Sequence, residues 1–119
     1  MGAKARTRGK PRAAAEEVDP LFDPVVASFA GDRTVAPARM FGSTALKVGG
    51  KVFAMLVKGK LVVKVPADRV AALVAAGRGE HFDPGHGRLM KEWVAVDAAG
   101  RRGWIDLARE ARAFVASPR

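Results

Sequence analysis

One short segment of the chain concentrates side chains that can ligate a metal ion. The chain's two histidines, His81 and His86, lie close together, with Asp83 between them and Glu80 just before them. Imidazole and carboxylate groups bind Zn²⁺ or Ni²⁺ in proteins. A metal-dependent enzyme is therefore one interpretation of residues 80–86. We favour a solvent-exposed loop instead, because the chain has no further histidine and a glycine-rich segment supports a metal poorly.

The sequence shows no other arrangement of catalytic residues. No serine stands in a Gly-x-Ser-x-Gly elbow, and there is no cysteine to act as a nucleophile or a metal ligand. The glycines of segment 77–87 lack the Gly-Lys-Ser or Gly-Lys-Thr ending that a phosphate-binding loop requires. We therefore predict a non-enzymatic protein that holds no cofactor.

Positive charge is concentrated at the amino terminus. The 119 residues include 21 Lys and Arg against 12 Asp and Glu, a formal net charge of +9. Segment 1–15 has no large apolar residue beyond Met1, so we predict a disordered basic tail there and a single domain over 16–119. Clustered cations bind phosphate groups by releasing counterions, although such a tail can also serve only solubility. The tail cations are Lys4, Arg6, Arg8, Lys10 and Arg12.

Composition is that of an ordinary globular protein. Hydrophobic residues make up 49% and charged residues 28% of the chain. The lack of cysteine argues against a disulfide-stapled secreted module, and the amino terminus lacks the apolar stretch of a secretory signal. No apolar run approaches the roughly 20 residues of a membrane-spanning helix. We expect a cytoplasmic protein that has no contact with membranes.

Hydrophobic periodicity predicts three helices. The first follows Asp19-Pro20, or alternatively Asp23-Pro24, and ends near Gly31. The second covers residues 66–76 and ends at Gly77, and the third covers residues 101–115 with Trp104 facing the core.

Between the first two helices, Val-rich runs predict a β-meander. Strands over 45–48, 51–57 and 60–65 are separated by Gly49-Gly50 and Lys58-Gly59, which are typical two-residue turns. Residues 93–96 return as a further strand, whereas 78–88 read as an irregular loop. The order of elements predicts an α+β fold, an antiparallel meander sheet packed with about three helices.

Several sequence blocks resemble the TfoX N-terminal domain family. They begin with Arg39-Met40-Phe41-Gly42 and include 52–54, 61–65 and Met90-Lys91-Glu92-Trp93-Val94, and the resemblance covers roughly residues 19 to 116. The family is named after a bacterial competence regulator. The resemblance implies an α+β domain similar in broad shape to YjbR-like domains, and it implies no reaction. Ser43 stands where the family usually has a second glycine after Phe-Gly.

The motif residues themselves are best explained by structure. Met40 and Phe41 are large apolar residues entering the sheet, and Gly42 permits a bend. Trp93 and Trp104 read as core anchors. Arg39 either binds an anion or pairs with an acidic residue such as Glu92, and we favour the ion pair.

We expect a non-enzymatic regulatory or interaction domain. The specific hypothesis is weak, sequence-independent nucleic-acid binding by the tail cations, supported by Lys58 and Lys60 among the sheet lysines. Solvated lysines that protect strand edges are the commoner reason for such lysines. The alternative is a protein-partner adaptor or a homodimerising module, and the third choice is the metal-dependent enzyme.

Overall fold

The computed structural model describes residues 20–40, 43–82 and 90–117. Within these ranges, six strands form one sheet, and three α-helices and a 3-10 helix accompany it. The strands are β1 Val35–Met40, β2 Ser43–Val48, β3 Lys51–Val57, β4 Lys60–Lys64, β5 Glu80–Phe82 and β6 Met90–Val96. The helices are α1 Asp23–Ala27, α2 Ala67–Ala75 and α3 Trp104–Ala116, and the 3-10 helix Ala98–Gly103 leads into α3.

All strand pairs are antiparallel, in the order β1-β2-β3-β4-β6-β5. The predicted meander is confirmed, since β2, β3 and β4 are joined by the two predicted turns. Gly49, Gly50 and Gly59 have positive φ, as these turns require, and Lys58 joins them at φ 52°. The predicted α+β class is therefore confirmed.

The main core lies between the sheet and the helices. Trp104 and Phe53 are almost fully buried there, and the Phe29 ring meets Phe53 edge-on, with centroids 5.2 Å apart and planes at 72°. This T-shaped geometry is the favourable one for two aromatic rings. Val25 of α1 and Val70 of α2 belong to the same cluster, so all three helices pack on one face of the sheet.

The opposite face of the sheet carries a second, smaller cluster, and we call it the distal face. Buried Ala45, Met55, Val62, Phe82 and Ala95 form this cluster, which no residue of a described helix joins. The centre of the sheet is therefore apolar on both faces. Along residues 61–65, Leu61, Val63 and Val65 belong to the main core, whereas Val62 between them is buried in the distal cluster.

Two strands are absent from the sequence-based prediction. In β1, Pro37 lacks an N–H and suits only an edge strand, which is where β1 lies. β5 occupies part of the segment predicted to be an irregular loop, so that prediction is wrong for residues 80–82. The first helix begins at Asp23, in agreement with the alternative start at Asp23-Pro24, but it ends at Ala27 and not near Gly31. Among the described residues, no helix is long and apolar enough to cross a membrane.

Candidate nucleic-acid interface

Strand alternation places three lysines on the distal face. Lys60 and Lys64 flank Val62 in β4, and Lys47 lies two residues after Ala45 in β2. The side chains of Lys60 and Lys64 are 40% and 28% exposed, so their alkyl stems are half-buried while the charge stays near water. The apolar centre of this face therefore has a basic margin.

Acidic side chains offset part of this charge. Lys60 Nζ donates a hydrogen bond to Glu80 Oε2, and this bond, with the negative charge of Glu80, raises the pKa of Lys60 above its ordinary value. Lys64 Nζ lies 3.9 Å from Glu92 Oε1, which is a looser pair. Lys47 makes no ion pair with any residue that the structure describes. Of the three, Lys47 and Lys64 are thus better placed than Lys60 to meet an anion.

Lys47 and Lys64 lie near each other across the sheet. Lys47 is opposite Val52 in β3, and Lys64 follows Val63, which is opposite Ala54. Two strand spacings, about 10 Å, separate the lysines laterally. Trp93 of β6 is directly opposite Lys64 and continues the line. We call Lys47, Lys64 and Trp93 the basic row.

Trp93 differs from the sequence-based expectation. Trp104 is 1% exposed, and its Nε1–H donates to the Asp97 carbonyl oxygen at 3.2 Å, so its prediction as a core anchor is confirmed. Trp93 is only partly buried and packs at the margin of the distal cluster. Its alternation with buried Val94 and Val96 is the sequence signal that places it on the other face.

Two further lysines, Lys51 and Lys58, lie beside the turns and far from each other. Lys51 begins β3 and Lys58 follows it, so about 20 Å of strand separates them. Both are exposed, and neither makes an ion pair within the described part of the chain. Predicted contact residues Lys58 and Lys60 therefore lie at the opposite end of the sheet from the basic row. Tail residues 1–15 lie outside the described ranges.

The family-motif residues are split between the two sides of the sheet. Exposed Arg39 lies in edge strand β1 opposite Thr44, whereas Glu92 lies in β6, four strand spacings or roughly 19 Å away. Glu92 is therefore too far away to be the acidic partner suggested for Arg39. Met40 pairs with Ser43 and Met90 with Phe82, while Lys91 is exposed and Phe41 and Gly42 lie outside the described residues.

The described part of the histidine segment, residues 80–82, forms strand β5. His81 lies in β5 opposite Val94 and is half-buried, and its Nδ1 is buried without a hydrogen-bond partner. Asp83 and His86 lie outside the described residues. Within the described ranges, no group of three or more His, Asp or Glu residues is arranged to hold a metal.

A charged cluster ties the helical layer to the start of the sheet. Arg112 of α3 donates from Nε to Asp32 Oδ2 at 3.0 Å and from an Nη to Thr34 Oγ1 at 2.9 Å. Hydrogen bonds from the hydroxyl and N–H of Thr34, with the charge of Arg112, lower the pKa of Asp32. This cluster stabilises the fold and lies away from the basic row.

An antiparallel six-stranded sheet with helices on one face defines the class, an α+β domain. The family model of the TfoX N-terminal domain matches residues 27–114, and the chain belongs to this family. A comparison with curated proteins gives no match.

Proposed function

We propose that the protein is a non-enzymatic domain that binds nucleic acid weakly through its phosphates. The observation that carries the proposal is the basic row, in which Lys47, Lys64 and Trp93 lie side by side on a sheet face that no described helix covers. The net charge of +9 supports it, because phosphate contacts by Lys and Arg supply the sequence-independent part of such binding. The tail cations add further contacts.

The same geometry explains why the binding is weak and nonspecific. Glu80 and Glu92 sit beside two of the distal lysines and oppose an approaching phosphate. Lys side chains act as point charges, and their contacts to phosphate carry no sequence information. Partly exposed Trp93 offers one surface on which a base of a single strand can stack. The expected ligand is therefore a single-stranded nucleic acid of any sequence.

A protein-partner adaptor is the second candidate function. Val52, Val57 and Trp93 are partly buried apolar residues around the distal cluster, so this face also suits an apolar surface of a protein. Binding of a partner there would depend weakly on salt, because apolar contacts are not screened.

Two double variants, each of which removes two positive charges, test the proposal. Lys47→Gln with Lys64→Gln removes two charges from the distal face, and Arg102→Gln with Arg109→Gln removes two exposed charges from the 3-10 helix and α3. Fluorescence anisotropy with a labelled single-stranded oligonucleotide measures affinity at several salt concentrations. We expect the distal variant to bind more weakly and to show a salt slope smaller by about one per lost contact. Equal losses in both variants would contradict the assignment to this face.

A further inference from the structure

A pocket on the helical side of the molecule is separate from the basic row. It has a volume of about 370 Å³ and lies where the end of α2, the start of β5, the end of β6, the 3-10 helix and α3 meet. Buried Leu73, Val96 and Leu107 form its floor. This volume lies within the range of about 300–1,000 Å³ that is usual for small-molecule sites.

Glycines shape the walls of this pocket. Gly77 ends α2 in the left-handed region, at φ 73°, and the N–H groups of Gly77 and Arg78 bond to the carbonyls of Val74 and Leu73. These two bonds define a Schellman motif, which fixes where the chain leaves the helix. A Cβ on Gly79 would lie 2.7 Å from Val94 Cγ2 and 3.2 Å from the Ala95 carbonyl oxygen. At Gly79, just before β5, the pocket wall is therefore backbone packed closely on β6.

The Schellman motif places Arg78 at the mouth of the pocket. One guanidinium nitrogen lies 3.8 Å from the position that a Cβ of Gly103 would occupy, so Arg78 reaches from the end of α2 towards the 3-10 helix. The side chain of Arg78 is exposed, and its guanidinium makes no hydrogen bond or ion pair with another described residue. Its N–H donors are available to a ligand, and their planar fork matches a carboxylate.

Two acidic residues, Glu80 and Asp97, also line the pocket, but the carboxylate of Glu80 pairs with Lys60 on the distal face. Glu80 accepts the hydrogen bond from Lys60, and the charge of Asp97 also acts on Lys60. Exposed Arg101 and Arg102 add positive charge on the adjacent 3-10 helix. The mouth is therefore cationic at Arg78, while the negative charge of Asp97 disfavours a doubly charged anion such as phosphate.

From the pocket and its charges we propose that this site binds a small monocarboxylate with an apolar body. The carboxylate is held by Arg78, and the apolar body rests on Leu73, Val96 and Leu107. Asp97 lies on the rim and weakens the complex by repulsion. This inference is independent of nucleic-acid binding, since none of these residues belongs to the basic row.

The probe for the test is 4-methylpentanoate, with 4-methylpentanamide and 3-methylbutylamine as matched neutral and cationic compounds. Titration followed by ¹⁵N NMR should shift the amides of Gly77, Gly79, Gly100 and Gly103, with a dissociation constant on the order of 1 mM for a ligand this small. The amide and the amine should bind at least tenfold more weakly, because they lose the charged contact with Arg78.

Three variants locate the contacts. Arg78→Gln should weaken binding at least tenfold, whereas Arg102→Gln, which removes a charge outside the pocket lining, should change it less than about twofold. Ala99→Leu, at an exposed lining position, should block binding without disturbing the core. Asp97→Asn should strengthen binding, because it removes the repulsion. NMR spectra of each variant show whether it is folded.

Several results would overturn the assignment. One is the absence of shifts in the backbone N–H signals of the pocket when 4-methylpentanoate is present at 20 times the expected dissociation constant of about 1 mM. The others are equal affinity for 4-methylpentanamide and 4-methylpentanoate, or unchanged affinity in a folded Arg78→Gln variant. Preference for the amine, with weaker binding in Asp97→Asn, would show instead that the pocket takes a cation and would also overturn the proposal.

Discussion

Trp93 lies directly opposite Lys64 across the β4–β6 strand pair, on the sheet face away from the helices. An aromatic ring and a cation are thereby side by side at a partly exposed position. This is the combination that binds single strands without sequence preference, since the ring stacks on a base while the cation meets a phosphate.

Replacing Trp93 should separate single-stranded from duplex binding. Trp93→Leu should weaken binding of a single strand by about 1 kcal/mol or more, roughly fivefold, because one stacking contact is lost. Duplex binding should hardly change, since paired bases offer no face to the ring. Trp93→Phe is the control and should keep most of the affinity. Anisotropy with both nucleic acids measures this, and equal losses for the two would refute a stacking role.

The buried side chain of Phe53 should contribute strongly to the stability of the protein. Phe53 is fully buried and meets Phe29 edge-on, so Phe53→Ala should lower the free energy of unfolding by about 3–5 kcal/mol. Lys51→Ala, at an exposed position in the same strand, should change it by less than about 0.5 kcal/mol. Urea denaturation compares the two. A loss below about 1 kcal/mol in Phe53→Ala would mean that this part of the core is loosely packed.

The parts of the fold that the sequence predicts correctly are those with strong local signals. The turns at 49–50 and 58–59 and the helix end at Gly77 are correctly predicted, because glycine chemistry and periodicity act over a few residues. Strands β1 and β5 are missed, since Pro37 and the short segment 80–82 gain strand structure only by pairing with a neighbour along the sheet.

The site is less predictable because it depends on pairing between distant strands. The sequence shows Lys47, Lys64 and Trp93, but only the register brings them into one row. The strand order also places Arg39 and Glu92 four strands apart, which excludes Glu92 as the acidic partner suggested for Arg39. Glu80 as the partner of Lys60 likewise follows from the pairing of β5 and β6.

Substitution of Gly77 should destabilise the protein because of the backbone conformation at this position. Its φ of 73° lies in the left-handed region, and open space surrounds the position of a Cβ. Gly77→Ala should therefore destabilise the protein by about 1–2 kcal/mol through conformation alone. Gly31→Ala, also in open space but without a positive φ, should be nearly neutral. Thermal denaturation distinguishes them, and equal melting temperatures would show that Ala is accepted in the left-handed conformation at this helix end.

The charged cluster of Asp32, Thr34 and Arg112 should make the stability of the protein depend on pH. The folded state holds the pKa of Asp32 below its ordinary value of 3.8, so its contribution is present above that pH and is lost as pH falls through the lowered pKa. Asp32→Asn should have a lower melting temperature than the parent at pH 7, and the two should converge as pH drops below 3.8. A difference that stays constant over this range would contradict the role of the ionised carboxylate.

The most direct measurement compares nucleic-acid binding by the full chain and by a variant without residues 1–15. Fluorescence anisotropy is recorded with labelled single-stranded and duplex DNA, at low and near-physiological salt. We expect salt-sensitive binding by the full chain that largely disappears without the tail, leaving a weaker component that also requires Lys47 and Lys64. Absence of binding even at low salt would contradict nucleic-acid binding and favour the protein-partner function.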